Sequence, residues 1–349
     1  MARGNTIQKE KVAIIGSGNW GTAAARIIGE NVTRHPDFHP EVKMWVFEEI
    51  IENRALTEII NEQHENIKYL PGFKIPENVI ADPDMLNTIR DATILVFVVP
   101  HQFLYKVCDQ LKGNIHPKAI GISLIKGCDT GETGIRPIST ILEEALKIHI
   151  CTLSGANIAN EIAEGKFSET TIGYKIREEG ELFKRLFETS YYQVGIIDDV
   201  IGVEMCGALK NVVALGAGIV DGLKMGDNSK AAIIRIGLSE MKKFLKMFYK
   251  NIKDETFFES CGVADVITSC YGGRNRRVAE AHVTTGKSFE QLEKELLGGQ
   301  KLQGTLTAKE VCTMISIKGL ENEFKLFVAI YRIAFEGLEP KKIFDVIVD

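Results

Sequence analysis

Lys210 and Asn211 stand side by side in the stretch VEMCGALKNVVALGAGIVDGL (203–223), which is mostly apolar and contains no proline. Such a stretch fits a buried helix, yet an ammonium in low dielectric is costly unless it is paired. On a helix its neighbours three and four residues away are Cys206, Gly207, Val213 and Ala214, none of which can pair with it. Burial lowers a lysine pKa toward neutrality, where the side chain can both polarise a carbonyl and hand over a proton. Two readings stand together here: a general acid, or a core-helix lysine whose head snorkels to water.

Two further groups suit the same chemistry. GISLIKG places Lys126 at the C-terminal end of a β run, the edge where open α/β sheets bind ligands. ADVITSCYGGRNRRVAEA carries Asp265, then paired glycines, then Arg274, Asn275, Arg276 and Arg277 opening a helix. Glycines before a helix N-terminus with an arginine close by make an anion site, through backbone donors and a bidentate guanidinium. The plainer reading of RNRR is a solvated basic face. A small phosphorylated ligand fits better than a polyanion, because the chain has a net charge of −5.

The third group is a glycine fingerprint. In KVAIIGSGNWGTAAARI, Gly16, Gly18 and Gly21 have G-x-G-x-x-G spacing, with Ser17, Asn19 and Trp20 between them. The motif follows a β run and opens an Ala-rich helix, the context that gives it meaning. The first glycine allows the tight turn, the second lets a pyrophosphate approach the backbone, and the third lets helix and strand pack closely. Glu48 and Glu49 follow the next strand, MWVF, farther from Gly16 than the usual spacing of about 20 residues. The segment ENVTRHPDFHPE (30–41) reads as an insertion that accounts for the excess. An acid there with no adjoining Arg or Lys favours the 2′-hydroxyl of NAD over the 2′-phosphate of NADP; the competing reading is a solvated strand end. Gly207, one turn before Lys210, would leave room for a cofactor ring.

These residues need elements to hold them. KVAII (11–15), VKMWVF (42–47), ATILVFVV (92–99), AIGISLI (119–125), IHICTLS (148–154), ETTIGY (169–174) and YYQVGII (191–197) read as strands. Helical patterns such as WGTAAARIIGE and TGIRPISTILEEALK lie between them, which predicts an α/β, Rossmann-like, doubly wound parallel sheet. After Asp198 the strand signals stop. NSKAAIIRIGLSEMKKFLKMFYK, SFEQLEKELL, TAKEVCTMISIKG and EFKLFVAIYRIAFEG are amphipathic helical patterns punctuated by Gly or Asn. The expected organisation is a nucleotide-binding domain over 1–198 and an all-α domain over 199–349.

Composition fits this plan. The 349 residues suffice for two domains, and 45% apolar with 26% charged residues is ordinary for a soluble globular chain. The longest apolar run, ATILVFVV, is too short to span a bilayer. The opening MARGNTIQKE lacks the apolar core of a secretory signal, and the final IVD is not a peroxisomal tripeptide. The seven cysteines show no CxxC or zinc-like spacing, which predicts free thiols, no metal site and a cytoplasmic location.

GSGNWG (16–21), VFVVPHQF (96–103), SLIKG (123–127), LSGANIANE (153–161), EMCGALKNVVALGAG (204–218), GVADVITSCYGGRNRRVAEA (262–281) and GQKLQG (299–304) together resemble NAD-dependent glycerol-3-phosphate dehydrogenase in its eukaryotic cytosolic form. The resemblance runs from about Val12 to about Glu336, and GALKN with GGRN at this separation is far more specific than the glycine fingerprint. It implies interconversion of dihydroxyacetone phosphate and NADH with sn-glycerol 3-phosphate and NAD, between glycolysis and glycerolipid supply. It also implies a homodimer. By motif, Lys210 would be the general acid/base, with Asp265 near its ammonium and Lys126 on the substrate oxygen. Asn211, Ser269, Arg274 and Asn275 would hold the substrate; many relatives have Thr where Ser269 stands, and the hydroxyl is kept. Phe47, Phe103, Ala159, Arg274, Lys301 and Gln303 would contact the cofactor beside the glycine loop.

Two rival readings differ in kind. A related dehydrogenase acting on a hydroxyacid such as 6-phosphogluconate shares the nucleotide domain and the Lys–Asn pair; GGRNRR with GQKLQG favours the smaller glycerol phosphate. A binding module sensing the NADH/NAD ratio would need the glycine loop but not Lys126, Lys210 and Asp265 together.

Overall fold

The computed structural model describes residues 9–131 and 134–348. The chain divides into two compact units. The first comprises Met1–Ile125, Ile138–Leu153 and Asn157–Val200; the second comprises Lys126–Pro137, Ser154–Ala156 and Ile201–Asp349.

The first unit is built on one eight-stranded sheet: β1 (Glu10–Ile15), β2 (Phe38–Trp45), β3 (Val79–Asp82), β4 (Ile94–Phe97), β5 (Ile120–Ser123), β6 (Ile150–Ser154), β7 (Ser168–Gly173) and β8 (Tyr192–Ile197). Its order is β8-β7-β6-β5-β4-β1-β2-β3. The pairs β1–β2, β2–β3, β1–β4, β4–β5, β5–β6 and β7–β8 are parallel. The chain thus runs outward from β1 to β3 and returns to β4 on the other side of β1. That reversal opens a crevice at the carboxyl ends of β1 and β4.

The continuous apolar runs follow from burial on both faces. Val12, Ile14, Ile94 and Val96 enter one core, while Ala13, Ile15, Leu95 and Phe97 enter another. The seven strands expected from sequence are all present, in a doubly wound sheet. β3 was not anticipated: VIAD is four residues long, lies at the sheet edge and is only half buried, so it carries little apolar signal.

The segment 30–41, expected to be an insertion, is largely regular structure and not an irregular loop. Helix α1 (Asn19–Arg34) occupies its first part and β2 begins at Phe38, with a register irregularity against β1 between Glu10 and Val12. The long spacing from Gly16 to Glu48 is therefore a longer helix and a longer strand. After β2 the chain enters α2 (Leu56–Gln63).

The second unit packs around α3 (Val200–Gly222), with α4 (Asp227–Phe248), α5 (Asp265–Gly272), α6 (Arg274–Thr285), α7 (Phe289–Leu297), α8 (Gln303–Ile317) and α9 (Lys325–Phe335). Helix α3 is long and apolar enough to cross a membrane, but it is the unit's core helix: Met205, Leu209, Val212, Val213 and Ile219 are fully buried. Close approach explains its glycines. A Cβ on Gly218 would lie 2.2 Å from the Arg276 carbonyl oxygen, so only glycine lets α6 pack there.

Among its described residues the unit's only strands are those of a hairpin, Asp129–Gly131 with Gly134–Arg136, whose Ile135 enters the helical core. The helix expected from TGIRPISTILEEALK begins only at Ile138, because Pro137 forces the residue before it into extended backbone. The expected start, Thr133, lies outside the described residues.

Buried Glu240 on α4 accepts hydrogen bonds from the Leu326 and Phe327 backbone N–H groups, at 2.9 and 3.0 Å, and so caps the start of α9. Burial raises its carboxyl to about pKa 7, despite those two bonds. A carboxyl raised in the folded state binds more protons folded than unfolded, so its contribution to stability is present below the ordinary carboxylate range and lost as pH rises to about 7. Urea unfolding of Glu240→Gln should therefore show a flatter dependence on pH between about 4.5 and 7 than the parent. Parallel curves for the two proteins would refute the assignment.

Candidate active site

The crevice predicted by the strand order is a cleft of about 940 Å³ in the first unit. Gly16, Ser17 and Gly18 line it after β1, and Val98, Val99 and Pro100 line it after β4. Its outer part is formed by Phe47, Glu48, Glu49, Tyr69, Leu86 and Phe103. Phe47 and Phe103 are 65% and 50% exposed and so present open aromatic faces at the cleft to a flat ligand.

The three fingerprint glycines do different work. Gly16 has φ +120°, and a Cβ there would meet the Val98 carbonyl oxygen at 2.9 Å, so the turn requires glycine. A Cβ on Gly21 would lie 2.6 Å from the Gly16 oxygen, so α1 packs against the turn only without one. At Gly18 an added Cβ meets nothing within 4 Å; the space beside it is open, as a pyrophosphate at the α1 N-terminus requires. The residues present fit a dinucleotide.

Other expected cofactor positions sit differently. Asn19 donates to the Tyr69 carbonyl oxygen and to Asn160 Oδ1, at 2.8 and 2.9 Å. Trp20 packs edge-on against Tyr192, with ring centroids 6.3 Å apart. Ala159 is buried against Ala23 and Leu70. These side chains hold the turn and helix in place and do not line the cleft.

Neither glutamate after β2 is a bare solvated acid. Glu48 accepts from the Thr57 N–H at 3.2 Å and from the Thr57 hydroxyl, which sets its carboxylate at the start of α2. Glu49 accepts from Lys68 and, at 2.7 Å, from the Tyr69 hydroxyl; these bonds hold its carboxyl below the usual range. The sequence reading that no cation adjoins these acids fails for Glu49, because Lys68 comes from a distant turn.

In the second unit, the lysine of α3 does have a partner. Lys210 is 6% exposed, and its Nζ donates to Asp265 Oδ1 at the start of α5. The snorkelling alternative is excluded by that burial. Lys126 approaches the other carboxylate oxygen, Oδ2, at 3.7 Å, and donates to the Gly155 carbonyl oxygen at 3.2 Å. One carboxylate therefore stands between two ammonium groups. Burial first, and the Lys126 charge second, bring Lys210 down to about pKa 8, against the opposing pull of Asp265. A group that titrates near neutrality and is held in place can give and take a proton.

Gly207, expected from the sequence to leave room for a cofactor ring, has that space filled by Ser154. A Cβ there would lie 2.7 Å from Ser154 Oγ, so the glycine admits the loop that also supplies the Gly155 carbonyl. A single wide turn, Ser260–Ala264, leads into α5, and Ser260 Oγ accepts from the Ala156 N–H at 3.4 Å. Wide turns of this type recur at functional sites.

Ser269 lies one turn after Asp265 on α5, half buried. Arg274 opens α6, is exposed, and donates to Gln300 Oε1 at 3.2 Å. Asn275 beside it is buried and donates to Asn211 Oδ1 at 2.9 Å. Lys210, Asn211, Asp265, Arg274 and Asn275 thus belong to three adjoining helices, with cations in excess.

Sequence reasoning missed Glu293. It is buried, accepts from the Leu302 N–H at 2.9 Å, and pairs with Lys301 at 2.9 Å. Gln303 follows as the first residue of α8. No spacing rule could find this contact, since it spans the loop between α7 and α8.

Residues 11–179 match the model of the NAD-dependent glycerol-3-phosphate dehydrogenase N-terminus, and residues 199–345 match that of its C-terminus. Cytoplasmic glycerol-3-phosphate dehydrogenase [NAD(+)] of Rattus norvegicus is 57% identical over 329 residues, 94% of each chain. The Drosophila melanogaster protein of the same name is 56% identical, covering 97% of this chain and 94% of its own. The solved structure of glycerol-3-phosphate dehydrogenase from Saccharomyces cerevisiae is 45% identical and superposes with a TM-score of 0.94, covering 98% of this chain and all of that one. Ketopantoate reductase from Ralstonia eutropha, 16% identical, shares the fold. With both halves matched by the family's models and relatives of such identity over nearly the whole chain, the chain belongs to the NAD-dependent glycerol-3-phosphate dehydrogenase family.

Proposed function

We propose that this protein interconverts dihydroxyacetone phosphate and NADH with sn-glycerol 3-phosphate and NAD, using Lys210 as the general acid/base. The observation that carries this reading is the buried Lys210–Asp265 pair with Lys126 on the second carboxylate oxygen. The bound cofactor supplies the hydride; the chain's own residues bind, orient and move a proton. Lys210 in its ammonium form protonates the carbonyl oxygen during reduction and takes the proton back during oxidation. Asp265 fixes the ammonium in position. Lys126, with further N–H groups beyond its bond to Gly155, contacts the same oxygen of the substrate.

The substrate phosphate is gripped by Arg274 at the α6 N-terminus with Asn275 and Asn211, and the Ser269 hydroxyl adds a bond. On the cofactor side, the turn from Gly16 to Gly21 would take the pyrophosphate and Phe47 and Phe103 would offer apolar surface to a flat ring, while Lys301 and Gln303 would carry contacting roles by motif. The division of labour is a nucleotide-binding part lying mostly before residue 198 and a part bringing the substrate groups mostly from residue 199 onward, to which Lys126 also belongs. The names of the relatives support a cytoplasmic location, and the family resemblance supports a homodimer.

Lys210→Met should lower kcat by roughly three orders of magnitude while NADH affinity stays nearly unchanged. Retention of activity within a few-fold would make α3 structural only. Arg274→Ala should chiefly raise KM for dihydroxyacetone phosphate, with some loss of kcat, while unphosphorylated dihydroxyacetone remains equally poor with both proteins.

The pH dependence follows from the same pair. Reduction needs protonated Lys210, so its kcat/KM should fall as pH rises through about 8. Lys126→Met removes a neighbouring positive charge, so the falling limb should move to higher pH in whatever activity remains. A limb that stays in place would detach it from Lys210.

Cofactor choice gives a separate test. With Glu49 offset by Lys68, Glu48 is the acid that repels a 2′-phosphate. Glu48→Gln should narrow the preference for NADH over NADPH by about tenfold, more than Glu49→Gln does. The ratio of kcat/KM for the two cofactors measures it, and equal use of both by the parent would sink the idea.

A further inference from the structure

We infer that Gly304 is a positioning residue for the substrate site: its N–H and its missing side chain decide which way the carboxamides of Asn275 and Asn211 face. The inference rests on the reading of those two asparagines as substrate-binding residues given above.

Gly304 is the second residue of α8, where a helix N–H has no intrahelical partner. That N–H donates to Asn275 Oδ1 at 2.8 Å. A backbone N–H can only donate, so Asn275 must turn its oxygen to α8 and its amide hydrogens the other way. Asn275 Nδ2 then donates to Asn211 Oδ1 at 2.9 Å. With its oxygen so used, Asn211 turns its own amide nitrogen to the Gly207 and Ala208 carbonyl oxygens, at 3.3 and 3.2 Å. The chain of bonds runs one way, from α8 through α6 to α3. Of the two N–H groups on Asn275, one is spent on Asn211 and one remains, a donor suited to a phosphate oxygen.

The relay leaves no room for a side chain at its origin. A Cβ on Gly304 would lie 2.6 Å from Asn275 Oδ1, 2.8 Å from the Asn211 carbonyl oxygen and 2.9 Å from Leu215 Cγ. The φ of Gly304 is not positive, so backbone conformation does not demand glycine there. What demands it is the closeness of the two asparagines. A general helix preference would favour alanine at this position.

The test uses the full-length Gly304→Ala, Asn275→Ala and double variants, each assayed for kcat and KM with dihydroxyacetone phosphate and for NADH binding. Gly304→Ala should lower kcat/KM by roughly 10- to 100-fold, chiefly through KM, with NADH affinity and the pH profile unchanged. Because Gly304 acts through Asn275, the two losses should not multiply: the double variant should fall well short of the product of the single losses. If Gly304→Ala does not fold, Asn275→Asp carries the test: its carboxylate still accepts from the Gly304 N–H but has no N–H to give, so it should be at least as impaired as Asn275→Ala, and activity equal to the parent with Asn275→Ala impaired would overturn the inference. Should Asn275→Ala match the parent, the substrate-binding reading of Asn275 falls, and the inference with it. Should Asn275→Ala be impaired while Gly304→Ala matches the parent, or the two single losses multiply in full in the double variant, the inference alone is overturned.

Discussion

The structure of the second unit depends on one buried ion pair. Lys210 is almost wholly removed from water, and removing an ammonium from water is tolerated only where a counter-charge and hydrogen bonds replace it. Asp265 supplies the counter-charge, from a helix that starts 55 residues later in the chain. Much of the surrounding geometry serves to hold that meeting in place. The glycines of α3 let neighbouring helices approach it closely, the wide turn at Ser260–Ala264 aims the start of α5, and the loop Ser154–Ala156 braces Lys126 beside the same carboxylate. A pair of like charges flanking one carboxylate is an arrangement that stability alone does not favour, which is why the cluster reads as chemistry.

The first unit solves a different problem, the approach of a backbone to a large anion. Its sheet order opens a crevice beside β1 and β4, and the three glycines of the fingerprint have separate reasons to lack a side chain. Gly16 needs its dihedral, Gly21 needs contact, and Gly18 needs emptiness. The aromatic rings of Phe47 and Phe103 stay exposed at the rim while most large apolar side chains of the unit are buried. The acids beside them are not equivalent, because a lysine offsets one and a helix start receives the other.

Much of this was legible in the sequence, because it is written in local periodicity and short motifs. Alternation between two cores marks β1 and β4, amphipathic spacing marks α4, α7 and α9, and the glycine turn lies wholly within six residues. The short edge strand β3 and the hairpin at Asp129–Arg136 escaped notice, since neither buries enough apolar surface to leave a pattern. The length between Gly16 and Glu48 suggested an insertion because sequence spacing cannot tell a loop from a longer helix and strand.

The sequence by itself determined which residue types were present for the chemistry: an ammonium in an apolar helix, a second at a strand end, an acid, an arginine before a helix, and glycines around a turn. Only the tertiary structure decided who meets whom. The partner of Lys210, the lysine that offsets Glu49, the carboxylate that holds Lys301 and the N–H that orients Asn275 are each set by contacts between segments. Local pattern records the period of burial along one element, whereas pairing between elements depends on how their buried faces close over one another, and no single stretch of chain contains that information.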